Sequence, residues 1–258
     1  SDAIPHAGNG WLAVLAAIAA AAVVVIVYWI LVRFVERRRG FAEFGRAGWA
    51  RELGAGLLGG LALFSVVVGI IAALGGYRII GTHPASVLLP VLAISIVSGV
   101  TEEIIMRGVF FRLIESFLGS WIALILSAAL FGALHLGNHN ATLLAGSAIM
   151  LEAGVMLAAL YMLTRRLWAA IGLHAAWNFA QGGIYGIPVS GLRLDGVLVP
   201  RMVGSDLVTG GAFGAEASLP AIIVCTTFGI AVTVVAWRRD RFVQPFWVRR
   251  RQLAARQA

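Results

Sequence analysis

Seven apolar runs, each near the ~20 residues that a helix needs to cross a bilayer, constrain this chain more than any other feature. They occupy 11–32, 53–74, 85–106 or somewhat beyond, 121–136, 141–163, 168–187 and 219–237. Hydrocarbon offers no water to an unpaired backbone group, and a helix satisfies its own backbone within one segment. Composition agrees: 60% of the residues are hydrophobic and 12% are charged, about half the ~25% charged fraction of a soluble domain. The expected fold is all-α. It is a single polytopic transmembrane helical bundle over 1–258 with seven spans, or eight if a re-entrant piece is merged with one of them.

All 20 basic residues are arginine, and they are unevenly placed. The 33–52 connection carries six, Arg112, Arg165 and Arg166 fall in later connections on the same side, and seven follow Trp237. The alternate connections carry only Arg78, Arg193 and Arg201. Arginine in short loops marks the cytoplasmic side, so the expected orientation is N-terminus outside and C-terminus inside. A net charge of +8 would suggest a nucleic-acid partner for a soluble chain. Beside apolar spans it reads instead as topology and contact with anionic headgroups of the lipid bilayer, and no nucleic acid is expected.

Residues 33–52 interleave arginine with Phe34, Phe41, Phe44 and Trp49, the pattern of a cytoplasmic connector lying as an amphipathic helix in the interface. Residues 188–218 are Gly-rich with few apolar runs and read as an ordered external loop, either a cap or a plain connection. The single cysteine, Cys225, excludes an intrachain disulfide and a Cys-based zinc site; a small buried hydrophobe is its expected role. No basic segment precedes the first apolar run, which is too long for a signal peptide and reads as a retained span.

The third run carries SGVTEEIIMRGVFF at 98–111. A charge at the bilayer centre costs about 2.5–3.5 kcal/mol on insertion scales, so Glu102, Glu103 and Arg107 need a reason to be there. The i,i+4 spacing sets Glu103 and Arg107 on one helix face, where they neutralise each other. Glu102 points about 100° away and is left without that partner. Taken alone, the three charges could equally form one structural cluster. The fourth run ends with Phe131 and His135 one turn apart, His135 deep in the span, and His139 in the wet loop beyond. The sixth places His174 and Asn178 at i,i+4 at mid-membrane depth. Each of these reads singly as a packing or helix-joining residue. Together, Glu102, His135, His174 and Asn178 come from three spans and could converge on one pocket. A carboxylate and an imidazole activate water, while an imidazole and an amide stabilise an oxyanion. Glu152 also interrupts an apolar run, with no partner at a telling spacing.

In order, the motifs are EExxxR (Glu102, Glu103, Arg107), FxxxH (Phe131, His135) and HxxxN (His174, Asn178). On separate spans they resemble the CPBP family of intramembrane endopeptidases, which includes the CAAX prenyl-protein proteases and the bacterial Abi-type, bacteriocin-related proteins. The resemblance covers about 99–186, the catalytic core, and the following PVSGLRL and TGGAFG stretches extend it to about residue 220. It implies an eight-helix-like core with a polar cavity open to the cytoplasm and membrane. It also implies that Glu102 activates water with help from His135, that His174 and Asn178 stabilise the oxyanion, and that Glu103 and Arg107 support them. The expected activity is hydrolysis of peptide bonds in membrane-associated or lipid-proximal proteins at the cell membrane. Prenylated substrates are not carried over, because the compact, arginine-only sequence looks bacterial. No cofactor is expected. The alternatives are a zinc metalloprotease with Glu102, His135 and His174 as ligands, a non-catalytic immunity or scaffold protein, and a proton relay.

Overall fold

The computed structural model describes residues 7–257. The residues ahead of Ala7, where no basic leader was expected, lie outside the described residues, as does Ala258. Helices α1 (Ala7–Ile30), α2 (Trp49–Ala73), α3 (Leu88–Glu103), α4 (Arg112–Leu118), α5 (Ser120–His135), α6 (Leu143–Ile149), α7 (Val155–Thr164), α8 (Trp168–Asn178), α9 (Asp206–Thr209), α10 (Leu219–Arg238) and α11 (Phe246–Gln257) account for most of the chain. Wide π-helical turns join α3 to α4 (Ile104–Phe111) and α6 to α7 (Met150–Gly154), and extend α8 (Phe179–Ile184).

The chain is a polytopic helical bundle. Among the described residues, five continuous helices are long and apolar enough to cross a membrane: Gly10–Val35, Trp49–Ala73, Ala85–Leu118, Leu143–Thr164 and Leu219–Arg238. The two other runs expected as spans are also helical, but shorter: α5 with 16 residues, and α8 with 11 before its π-helical extension.

Two features depart from a purely helical reading. Strands β1 (Tyr77–Thr82) and β2 (Leu198–Met202) pair antiparallel, Tyr77 opposite Met202 and Thr82 opposite Leu198, with a register shift between Ile79 and Gly81. The partners lie far apart in sequence, and each strand is short, β1 exposed beyond Tyr77 and β2 half-buried except at Arg201, so neither shows an alternating buried face. The 33–52 connector, moreover, is not an amphipathic helix. It folds into a tight turn, Ala42–Phe44, that tucks Glu43 and Phe44 under the bundle. Phe41 stacks on Phe44 with ring centroids 5.1 Å apart, Phe44 meets Trp168 edge-on, and Arg38 pairs with the buried Glu43 at 2.8 Å. Of the four aromatics that suggested an interfacial helix, Phe41 and Phe44 pack into the bundle, while Phe34 and Trp49 stay exposed.

The bundle's tightest seam joins α2 to α8. A Cβ added to Gly56 would meet the Ala169 carbonyl oxygen at 2.3 Å, and one on Gly60 the Leu173 carbonyl at 2.3 Å. Small residues let transmembrane backbones touch in this way. Gly99 does the same for α3, where a Cβ would lie 2.9 Å from Ala175. α8 is thereby held against α2 and α3, which fixes the helix that carries His174 and Asn178. The 188–218 loop caps the bundle, burying Val189, Phe213, Ala215, Glu216 and Ala217. Cys225 is fully buried in α10, as a small hydrophobe would be.

Candidate active site

Three helices deliver the motif residues to one place. Glu102 and Glu103 close α3, Arg107 stands in the π-helical turn after it, His135 closes α5, and His174 and Asn178 lie one turn apart on α8. His135 is therefore at a helix end, not deep in a span as its position in the apolar run suggested.

The expected Glu103–Arg107 pair forms. Arg107 Nη1 donates to Glu103 Oε1 at 2.9 Å, and both side chains are almost fully buried. The structure adds what spacing could not. Arg107 Nη2 donates to the carbonyls of Ala153 (2.9 Å) and Gly154 (3.2 Å), and its guanidinium lies 4.7 Å over the Phe131 ring. Such contacts offset part of the desolvation of a buried ion pair, and they leave Glu103 Oε2 and Arg107 Nε as its atoms without a hydrogen-bond partner. Glu103 has a second duty: its Oε1 also accepts from His174 Nδ1 at 2.9 Å. The pair thus orients an imidazole as well as the helix.

Glu102 is the exception, as its place on the helix suggested. Its side chain is 36% exposed, and its Oε2 makes no hydrogen bond while standing 3.9 Å from His174 Nε2. His135 Nδ1 donates to the Phe131 carbonyl at 2.8 Å, which leaves Nε2 as its uncommitted nitrogen. The Phe131 ring separates the two histidines, with centroids 4.6 Å from His135 and 6.2 Å from His174. Asn178 Nδ2 donates to Ser98 Oγ at 3.0 Å. Ser98 went unnoticed as a partner because a serine in an apolar helix ordinarily bonds its own backbone.

Glu102, His135, His174 and Asn178 line one cavity of about 340 Å³ together with Ser98 and His139. Two further spaces adjoin it. An apolar groove of about 660 Å³ runs between α1 and α3, walled by Ala13–Ala20 positions and Val97, and ends on Ser98 and Glu102. On the inner side, a cavity of about 30 Å³ is lined by His135, His174, Asn178, Glu152 and Glu216, room for about two waters. Glu152 does face the motif residues, therefore, and its neighbour there is Glu216, which sequence reasoning passed over. Burial pushes the Glu216 carboxyl up from 4.5 to about 7, against hydrogen bonds donated by Gln181 Nε2 and the Ser190 amide. Among the described residues, no three His, Cys, Asp or Glu side chains are grouped so that they could hold a metal ion.

The mouth of the site sits at an unexpected end. Its rim is built by Gly137, Asn138 and His139 from the α5–α6 connection and by Val189, Ser190 and Leu192 from the capping loop. These are arginine-poor connections. A cytoplasmic arginine-rich side and a cavity open to the cytoplasm, both expected, are incompatible in this structure.

Residues 84–180 match the model of the family described as "Type II CAAX prenyl endopeptidase Rce1-like". Over this segment the chain is similar to the CAAX-protease family. The match holds all three motifs, from Glu102 to Asn178, but covers under half of the chain and stops short of the 181–220 stretch. No curated protein and no solved structure matches the chain.

Proposed function

We propose that the chain is an intramembrane endopeptidase of the cell membrane in which Glu102 activates the attacking water. One observation carries this reading: Glu102 is the motif carboxylate that is partly exposed and lines the polar cavity, beside two histidines and an asparagine, whereas Glu103 is fully buried and bound to Arg107 and His174. The family match supports peptide-bond hydrolysis in general, and the chemistry assigned to each residue rests on the geometry. Water held between Glu102 and His135 gives its proton to the Glu102 carboxylate as its oxygen attacks the scissile carbonyl. The oxyanion then needs donors. Asn178 has a side-chain amide at the cavity. His174, whose Nδ1 already donates to Glu103, has an N–H at Nε2 only as the imidazolium, and the Glu103 carboxylate supports that charge. The proton on Glu102 passes to the departing amine, which restores the carboxylate. No metal takes part in this scheme. The apolar groove ending at Glu102 suits a substrate that is itself anchored in the bilayer.

Glu102→Gln should lower cleavage by about 10²–10⁴-fold, the usual weight of a general base, while leaving the yield and melting temperature of purified protein unchanged. The same variant should retain its substrate for identification by mass spectrometry. Wild-type cleavage should survive a chelator; loss restored by zinc would move the reading to a metalloprotease. Unchanged cleavage by Glu102→Gln would remove Glu102 from the mechanism.

A further inference from the structure

The placement of the arginines along the bundle resolves the conflict between the two expectations. The five long helices, with α5 and α8, run between two ends of the bundle. One end gathers the α1–α2 connection, the α4–α5 turn, the α7–α8 turn and the chain after α10. Contacts tie these pieces together: Arg112 to Glu36, Arg165 to Glu115 at 2.5 Å and to the Arg241 carbonyl, Arg166 to Glu52, and Arg249 to the Ser116 carbonyl at 2.6 Å. The other end holds the β1–β2 sheet, the α5–α6 connection and the capping loop, with His83 bonded to the Val197 carbonyl at 2.8 Å. Sixteen of the 20 arginines belong to the first end and three, Arg78, Arg193 and Arg201, to the second; Arg107 is buried between them.

Arginine in short loops decides orientation, and acidic residues contribute little. A bias of sixteen to three leaves one orientation standing: the first end is cytoplasmic. The cavity is rimmed wholly by the second end. α5 starts at the arginine-rich end and His135 is its last residue, while α8 starts at that end and runs on through Asn178 as a π-helix to Ile184. His135 is thus displaced away from the cytoplasmic end, and the cavity that it shares with Glu102, His174 and Asn178 is rimmed by loops of the other end.

We infer that the candidate site opens on the face of the membrane away from the cytoplasm, and that its substrates present their scissile bond there. The substrate class is the extracytoplasmic juxtamembrane segment of a membrane-anchored peptide or protein. This deepens the peptidase reading and rests on it for the word substrate, but the sidedness of the mouth is a physical property that can be measured without any cleavage.

The test uses the full chain in intact cells. Cys225→Ala removes the single, buried thiol, and single cysteines are then introduced at exposed positions of each end: Asn138→Cys or Leu192→Cys on the rim, Arg39→Cys or Arg239→Cys at the arginine-rich end. A membrane-impermeant maleimide is applied before and after permeabilisation. The rim cysteines should be labelled in intact cells, and the other two only after permeabilisation. Labelling of the arginine-rich pair from outside, equal labelling of both pairs, or protection of the rim pair until permeabilisation would each overturn the inference. Two sites per end guard against one variant failing to fold. Failure of the peptidase reading would show in Glu102→Gln and leave this labelling pattern untouched.

Discussion

Arg107 shows how one side chain serves both fold and site. It neutralises Glu103, bridges to two carbonyls of the turn that carries Glu152, and lies over the ring between the two histidines. Arg107→Ala should therefore cost about 3–5 kcal/mol, the penalty of stranding a buried charge, and lower the folded yield in detergent more than Glu102→Gln does. Arg107→Lys should recover only part of that loss, because a single ammonium cannot span the carboxylate and both carbonyls as a guanidinium does. Equal yields of the alanine and Glu102→Gln variants would reverse the division between supporting and free glutamate. Glu216 permits a test by pH. Its carboxyl is raised to about 7 by burial, so the folded state keeps a proton that the unfolded state releases near 4.5. The resulting stability is fully present below the unfolded value and is lost as pH rises through 7. The melting temperature of the wild type should thus fall across that window more steeply than that of Glu216→Gln. Parallel curves would mean that Glu216 is ionised throughout.

At the scale of elements, the α2–α8 seam is the lever. The carbonyl that a Gly56 side chain would meet is backbone, so it cannot swing aside. Gly56→Ala should force the helices apart, with a cost of about 1–3 kcal/mol for overpacking, and shift α8 with His174 and Asn178. Gly54→Ala on the same helix meets nothing within 4 Å and should be neutral or slightly stabilising, since alanine favours helix over glycine by about 1 kcal/mol. Thermal melts of the pair separate packing from propensity; equal losses would point to propensity alone. The π-helical turns belong to this scale too. Of the four among the described residues, one (Leu31–Val35) extends α1, and the other three flank Glu103, contain Glu152 or follow Asn178; such widened turns recur at functional sites. No residue spacing announces them, because each is a compromise between a helix and its neighbours.

The whole molecule is asymmetric in charge from end to end, and α1 and α11 leave it at opposite ends. A fluorescent reporter fused after α11 should mature in the cytoplasm, while an epitope placed ahead of α1 should be reached by antibody on unpermeabilised spheroplasts. Both termini on one side would require an even number of crossings, with α5 or the short α8 failing to span. The five long helices are long and apolar enough to cross. The 16-residue α5 rises only about 24 Å at 1.5 Å per residue, less than the ~30 Å hydrocarbon core, so its ends depend on the loops that continue it.

What the sequence by itself determined is whatever depends on transfer from water and on local spacing. The apolar runs dictated a helical membrane bundle, arginine placement sorted its connections into two classes, and the i,i+4 rule paired Glu103 with Arg107 and left Glu102 apart. Motif order then pointed to the family that residues 84–180 match. Tertiary structure alone decided what depends on elements distant along the chain. It bonded His174 to Glu103, Asn178 to Ser98 and β1 to β2, and it brought Glu216 beside Glu152. It tucked Glu43 and Phe44 of the arginine-rich connector under the bundle, and turned the site's mouth toward the arginine-poor end. Periodicity reports which face of a helix is apolar; it carries no information about which other helix will stand against that face, or at which end a pocket between them is left open.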